Sequence, residues 1–270
     1  AYGPNHAEVA LSLLNLAVIQ YESDDLAGAR TLTERALAIR ETVYGPDHPL
    51  VAEALNNLSA MRLRQKALEE ARTLAERALA IRERVRGPEH LEVASSLFNL
   101  AEVERERGEL EQAQALFERV LAIREKDLVA DSPELAEARV MLAEVHGLRG
   151  DAARARPLID LALAVVDKGP DRDGLAAAVT LRVAAETRRR QSEFTEAQAL
   201  FERALAIYAA KRGPDDPASC PTLVGLGRLA LDRGRPDEAT PRFERAVALC
   251  PDDPAARAGF EQARRAAKPR

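Results

Sequence analysis

The chain is poor in several residue types that characterise other classes of protein. It has no Trp, aromatic residues make up 4% of its 270 residues, and there are two Cys. Few aromatics argue against base-stacking platforms for single-stranded nucleic acid. Two Cys in a chain of this length do not make a disulfide framework. Because Cys220 and Cys250 both fall at apolar positions, we expect them to be small buried thiols.

Long apolar runs and a strong excess of positive charge are also missing. No stretch of about 18 apolar residues is present, so no membrane-spanning helix is predicted. Lys and Arg together number 39 against 44 Asp and Glu, which gives a net charge of −5 and argues against a general nucleic-acid partner. No signal peptide is recognisable, so we expect a cytoplasmic location. Lys is rare among the basic residues while Ala and Arg abound, which favours a bacterial source.

Catalytic and cofactor motifs are absent too. The sequence contains no phosphate-binding loop, no zinc-protease helix and no nucleophile elbow. The Asp and Glu residues are scattered along helix faces, where solvation explains them. We therefore predict a chain without enzymatic activity and without a cofactor.

What the chain does contain is an internal repeat. The segment ERALAIRE at Glu34–Glu41 returns unchanged at Glu76–Glu83, 42 residues later. Related copies stand at Glu118–Glu125, Asp160–Asp167, Glu202–Ala209 and Glu244–Pro251. Repetition at this length predicts a solenoid of stacked units rather than a globule around one central pocket.

Each unit reads as two helices. In the first, Ala10, Leu13 and Leu16 begin columns of apolar residues spaced by three, which is a helix signal. In the second, Ala recurs where bulk would prevent close helix packing. The invariant column is Ala29, Ala71, Ala113, Ala155, Ala197 and Ala239, and a second column is Ala36, Ala78, Val120, Ala162, Ala204 and Ala246.

Gly-Pro pairs separate the units. Gly45, Gly87 and Gly213 recur in phase, and Gly followed by Pro ends a helix. We expect one solenoid domain over 1–270, with repeats at 6–44, 48–86, 90–128, 132–168, 174–212 and 216–251 and a capping helix at 254–267. The linker-like opening and the lack of an N-terminal cap predict that the chain is a segment of a longer protein.

These columns resemble a known family. The small-Leu-small pattern of the first helix and the Ala-x3-Phe-x2-Ala pattern of the second, as in Ala197, Phe201 and Ala204, resemble the tetratricopeptide repeat. The phrase GPDHPLVAEALNNLS from Gly45 and the 42-residue period are similar to its kinesin-light-chain subclass. The resemblance implies an all-α, right-handed superhelix whose first helices line a concave groove. It also implies a non-catalytic scaffold for protein–protein interaction.

The same resemblance implies that groove Asn residues hold the backbone of an extended peptide. An amide offers two donors and an acceptor, which suits a backbone of any sequence. The first helices carry an excess of Glu in repeats one to four and an excess of Arg in repeats five and six. We therefore expect Arg to hold a carboxylate-bearing part of the ligand. The alternative is that these Arg residues only balance neighbouring Glu. The predicted peptide-binding residues are Asn15, Asn56, Asn57, Asn99, Arg105, Arg182, Arg189 and Arg228.

Two further motifs are interpreted as structural. His6, His48 and His90 also recur at the repeat period, each at a predicted helix start where a polar side chain satisfies free N–H groups, so no metal site is expected. Arg149-Gly150-Asp151 spells the cell-adhesion tripeptide but aligns with the turn between the helices of a unit.

Two other functions stay open at this point. The array could be the regulatory part of a multidomain enzyme, such as a kinase, a caspase-like protease or a nucleotide-switch protein, whose catalytic domain lies outside this chain. It could also self-associate through the uncapped N-terminal end. No nucleic-acid or membrane partner is expected.

Overall fold

The structure is a computed structural model that describes residues 3–23, 25–169 and 172–267, except for the side chain of Glu22. All regular structure in these residues is helical, which confirms the all-α prediction. The helices are α1 Ala7–Glu22, α2 Leu26–Tyr44, α3 Pro49–Arg64, α4 Leu68–Arg86, α5 Leu91–Arg107, α6 Leu110–Asp127, α7 Pro133–Leu148, α8 Ala152–Lys168, α9 Leu175–Arg190, α10 Phe194–Arg212, α11 Cys220–Asp232, α12 Pro236–Leu249 and α13 Pro254–Ala266. A 3-10 turn at Pro217–Ser219 leads into α11.

The helices form two compact units. The first unit ends at Ala130 and contains the pairs α1–α2, α3–α4 and α5–α6. The second unit begins at Asp131 and contains α7–α8, α9–α10, α11–α12 and the single helix α13. Each predicted repeat thus contains one helix pair. Residues 170 and 171 of the predicted linker before α9 lie outside the described residues.

Side-chain caps begin four of the first helices, α1, α3, α5 and α7, and the recurring His residues supply three of them. The Nδ1 atoms of His6, His48 and His90 accept hydrogen bonds of 3.1–3.2 Å from the backbone N–H two residues on. Each bond satisfies one of the N–H groups that a helix start leaves without an intrahelical partner. The structural interpretation of the His row is confirmed.

Glycine with positive φ ends three of the second helices, α2, α4 and α10. Gly45, Gly87 and Gly213 have φ of 84°, 84° and 94° with ψ near 160°. This region of backbone space is essentially open to Gly alone. The turns inside the pairs also use a left-handed residue, for which Gly108 and Gly150 have φ of 82° and 83°. The Arg149-Gly150-Asp151 tripeptide is therefore such a turn, as predicted.

The predicted Ala columns lie in the core. All six members of each second-helix column have 0% exposed surface. Leu16 is the exception among the first-helix columns, because it is 45% exposed whereas its equivalents Leu58 and Leu100 are buried. No preceding helix pair covers Leu16 in the described residues.

Large rings fill the gaps that the small residues leave. A Cβ atom placed on Gly225 would lie 2.5 Å from Cζ of Phe201. One placed on Gly227 would lie 2.6 Å from Cε2 of Phe243, and one on Gly259 would lie 2.5 Å from Cζ of the same ring. The ring of Phe243 therefore lies between α11 and α13, against one glycine of each helix, and α13 packs on this ring.

Cys220 and Cys250 form a disulfide, so the prediction of two buried thiols is wrong. Cys220 opens α11 and Cys250 directly follows α12. Since the two helices of a pair run antiparallel, the start of one lies beside the end of the other. Their Cα atoms are 6.5 Å apart, within the range that a disulfide spans. The sequence separation of 30 residues conceals this proximity.

Arginines of the repeated motif join consecutive pairs, a role that the sequence analysis missed. Arg77 donates to Glu41 of the preceding repeat at 2.7 Å and to the carbonyl of Pro46, in the linker that follows that repeat, at 3.3 Å. Arg119 makes the equivalent bonds to Glu83 and to the carbonyl of Pro88. We call this arrangement the Arg–Pro clamp. The recurrence of Arg after the first acidic residue of the motif, in five of its six copies, was the signal that could have indicated it.

A second, buried arginine acts in the same motif. Arg40 donates to the carbonyl of Leu50 at 2.6 Å, and Arg82 donates to the carbonyl of Glu92 at 2.9 Å. Each bond crosses a linker and ties the end of one second helix to the next first helix. Both side chains are buried, and burial lowers the pKa of Arg82, an effect that Glu92 and Glu53 oppose.

Candidate peptide-binding surfaces

The first helices form the inner face of each unit. Direct contacts join α3 to α5 in the first unit and join α9 to both α7 and α11 in the second. Within the described residues, no comparably extensive contact joins one second helix to the next. Helix pairs that approach more closely on one side curve toward that side, so side chains of the first helices line the inner face.

The Asn row of the first unit contains members in different states. Asn15 is exposed, and Asn57 is half-buried with no hydrogen bond to its amide in the described part of the chain. Asn99 is half-buried and donates from Nδ2 to the main-chain oxygen of Asn56 at 3.2 Å. Asn99 thus already holds a peptide backbone, which is that of the neighbouring first helix.

Asn56 lies inside the fold. It is 5% exposed and donates from Nδ2 to Oγ of Ser96 at 3.1 Å. The same oxygen accepts from Arg82 at 3.0 Å. This buried network joins α3, α4 and α5, so the donor that Asn56 uses there is not available to a ligand.

Ion pairs bind many of the charges on this face. Glu53 accepts from Arg40 at 3.0 Å, Glu106 accepts from Lys66 at 2.6 Å, and Arg105 reaches Glu106 at 3.1 Å. Arg105, one of the predicted ligand-binding residues, is therefore engaged within its own helix.

A depression of about 830 Å³ lies beside the linker that follows α2. The rings of Tyr44 and His48 stack there with their centroids 4.6 Å apart. Its charged wall is also paired, since Arg86 lies 3.1 Å from Glu92. The depression offers few unpaired groups and is a weaker candidate than the inner faces.

In the second unit, two of the predicted arginines are engaged in ion pairs. Arg182 donates to Glu144 at 2.8 Å. Arg189 donates to both carboxylate oxygens of Glu186, at 2.8 and 2.9 Å, and also to Asp232. These bonds support the alternative interpretation for Arg182 and Arg189, in which they balance neighbouring acidic residues.

Glu186 is the centre of this network. Burial alone would raise the pKa of its carboxyl group, but hydrogen bonds and charges from Arg189 and Arg190 outweigh burial and lower it. Arg190 also donates to the carbonyl of Gly147 at 2.5 Å. The carboxylate therefore stays ionised and fixes α9 against α7.

Arg228 differs from the other three. It is exposed on α11 and has no ion pair with any residue that the structure describes. It lines a cleft of about 180 Å³ together with Val183, Val224 and Gly225, and the start of α13 closes one end. Gly225 is buried there, and the ring of Phe201 occupies the space that a Cβ atom would need. The cleft thus combines apolar side chains, the ion pairs Glu144–Arg182 and Glu186–Arg190, and the guanidinium group of Arg228, which has no ion pair among the described residues.

Other kinds of site find no support in the described residues. These residues contain no cluster of three or more His, Cys, Asp or Glu that could hold a metal ion. Among the helices described, none is long and apolar enough to cross a membrane.

The fold and these surfaces define an all-α protein built from repeated helix pairs, with polar side chains on the inner faces. A family model for the tetratricopeptide repeat matches residues 8–83, 52–126, 134–210 and 176–252. The chain belongs to the tetratricopeptide repeat family, whose members generally serve as scaffolds for protein–protein interaction.

Solved structures share the fold. Kinesin-light-chain TPR-like repeats from Podosopora anserina align with a TM-score of 0.61 at 24% identity, covering 77% of this chain and 98% of that one. BtubC (BKLC) from P. vanneervenii aligns with a TM-score of 0.62 at 20% identity, covering 91% and 92%. The apo form of RapI gives 0.63 at 16% identity, covering 95% and 98%. The predicted similarity to kinesin-light-chain repeats is confirmed. No curated protein matches the sequence.

Proposed function

We propose that the chain is a non-catalytic scaffold that binds an extended segment of a partner protein along its first helices. The observation that carries this proposal is Asn57, whose amide is half-buried on the inner face of the first unit and makes no hydrogen bond with any residue that the structure describes. A half-buried amide held on a rigid helix is pre-organised for a peptide backbone. Asn15, one repeat earlier, offers an exposed amide in the same register.

In the second unit, the proposal assigns ligand binding to Arg228 and the cleft around Gly225. An unpaired guanidinium group beside apolar side chains suits a segment that carries both a carboxylate and an apolar residue. Arg182 and Arg189 position the helices through their ion pairs, and Arg105 is paired within its own helix, so none of the three is expected to contact the ligand first. Asn99 and Asn56 likewise hold α3 and α5 together.

The test begins with a partner captured from the source organism, whose binding segment is then titrated as a peptide. Asn57→Ala removes neutral hydrogen bonds and should weaken binding by about 2–10-fold, whereas Arg228→Glu should weaken it by about 10-fold or more. Gln112→Ala on the exposed face of α6 and Arg265→Glu on α13 are matched controls that should leave the affinity unchanged. If neither inner-face variant weakens binding, the proposal is wrong.

Self-association is a second candidate, and the surface of α1 favours it. Leu11, Leu16, Val18 and Ile19 are each between 45% and 59% exposed on this one helix. Burial of these side chains against a second copy would be favourable. Sedimentation equilibrium should then show a dimer that Ile19→Glu dissociates. A monomer at all concentrations would exclude this candidate.

Cytoplasmic location stays part of the proposal. Disulfides are rare in reducing compartments and are usually transient where they occur there. In the cytoplasm the bond between Cys220 and Cys250 would therefore form and break with the redox state.

A further inference from the structure

The disulfide stands at two positions that the repeat fills differently elsewhere. Cys220 occupies the first-helix position that Ala holds in the other five repeats, beginning with Ala10. Cys250 occupies the second-helix position that Arg40, Arg82 and Arg124 hold in the first three repeats and that Val166 and Tyr208 hold in the next two. The last repeat therefore has a covalent bond between two positions that no other repeat can join, since the chain has only these two Cys.

The last linker is held differently from the first two. Arg40 and Arg82 donate across the following linkers to the carbonyls of Leu50 and Glu92. A cysteine side chain is too short to make such a bond, so the junction between α12 and α13 lacks it. Cys250 is instead fixed from the opposite side, to the start of α11.

The capping helix α13 depends on the same part of the molecule. Its buried residues Ala256 and Ala263 belong to one hydrophobic cluster with Cys220 and Phe243. Asp253, which caps α13, donates its backbone N–H to the carbonyl of Cys250 at 3.1 Å. Movement of Cys250 is thus transmitted directly to the first turn of α13.

The two sulfurs differ in access. Cys220 is 2% exposed, whereas Cys250 is only partly buried. An external thiolate can therefore reach Sγ of Cys250 but not Sγ of Cys220. On reduction, the Cys220 thiol would have an acceptor in place, because its sulfur lies 3.2 Å from the carbonyl oxygen of Ala246.

We propose that the Cys220–Cys250 disulfide is a redox-controlled lock on the docking of α13. A thiolate of an external dithiol attacks Sγ of Cys250, forms a mixed disulfide, and expels Cys220 as a thiolate that takes up a proton. The second thiol of the reductant then attacks the mixed disulfide. It releases the Cys250 thiol and leaves the reductant as a disulfide, so two electrons and two protons pass to the protein. The oxidised state fixes the linker and α13, and the reduced state releases them.

Release of α13 alters the inner face of the second unit as well. Asp253 and Ala255 close one end of the cleft that contains Arg228. Reduction would therefore open that end of the cleft. The lock itself depends only on the disulfide and on α13, and it stands whether or not the cleft binds a partner.

Hydrogen exchange of the full chain, with and without dithiothreitol, tests the lock. Reduction should accelerate amide exchange in Pro254–Ala266 by at least 10-fold while α3 and α4 keep their rates. A Cys220→Ala, Cys250→Ser variant should show the fast rates in both conditions. Alkylation followed by mass spectrometry should find no free thiol before reduction and two after it.

Three results would overturn the proposal. Two reactive thiols in the protein purified without reductant and exposed to air would show that the bond does not form. Equal exchange of α13 in both redox states would show that the bond does not control its docking. A uniform acceleration throughout the second unit would show general stabilisation rather than a lock on one helix.

Discussion

The fit of Phe243 between two glycines predicts that adding one methyl group to α13 will destabilise the protein. In Gly259→Ala the new Cβ would lie 2.5 Å from Cζ and 2.6 Å from Cδ1 of Phe243. The ring cannot withdraw, because it is fully buried and its opposite edge faces Gly227. Either the ring or the whole of α13 must therefore move outward.

Two effects of opposite sign decide the size of the change. Ala in place of Gly inside a helix is worth about 1 kcal/mol in favour of folding. Overpacking of a fitted core costs about 1–3 kcal/mol, so the net result should be destabilisation of about 1 kcal/mol. In a Phe243→Leu background the clash is removed. Gly259→Ala should then stabilise by about 0.5–1 kcal/mol.

Gly147→Ala in α7 is the matched control, because no atom lies within 4 Å of the position its Cβ would take. It should raise the free energy of unfolding by about 0.5–1 kcal/mol. Urea unfolding followed by far-UV circular dichroism measures all four variants. Hydrogen exchange in α13 shows whether the loss is local, as a repeat array permits. Stabilisation by Gly259→Ala in the presence of Phe243 would refute the packing argument.

Three further predictions concern other parts of the chain. Ala113→Leu should destabilise by about 1–3 kcal/mol through overpacking, whereas the exposed Gln112→Leu should change stability by less than about 0.5 kcal/mol; equal urea midpoints would contradict the column assignment. Gly87→Ala should cost about 1–3 kcal/mol because of its Gly-only backbone angles, whereas Gly108→Asn, in the ordinary left-handed region, should be tolerated in the same assay. Because the folded pKa of Glu186 is lowered, its contribution to stability is present above the unfolded value near 4.5 and is lost as the pH falls through the folded pKa. Unfolding of Glu186→Gln should therefore depend less on pH between about 5 and 3, and an unchanged pH profile would count against the network.

The helices could be predicted from the sequence because each column records one environment many times. Ala113 recurs as Ala in all six repeats, and a residue that never enlarges at a helical spacing has to lie at a close contact. Gly87 belongs to a Gly-Pro pair that recurs between repeats. That pair alone was enough to predict a helix end formed by Gly. Arg139 breaks a Leu column yet is buried in the structure, which shows that one deviation does not overturn a column.

The contacts of the candidate sites could not be read from the columns in the same way. Asn99 and the backbone of Asn56 are 43 residues apart, and Arg182 and Glu144 are 38 apart. Both separations are close to one repeat length, because partners on neighbouring first helices must differ by about one unit. Comparing each charged residue with those about one repeat away would have indicated the ion pair of Arg182. The disulfide lies outside that rule, since it closes within a single helix pair.

The Arg–Pro clamp also bears on how an array of this kind can change its length. Arg77 supplies the donor, and the preceding unit supplies the acceptors Glu41 and the carbonyl of Pro46. A repeat that carries both the Arg donor and the Glu and Pro acceptors is complementary to a copy of itself. A tandem duplication of one such 42-residue segment would therefore create a finished junction at once, with no compensating substitution. A repeat that has lost one half, such as the one in which Leu161 replaces the Arg, does not have that freedom.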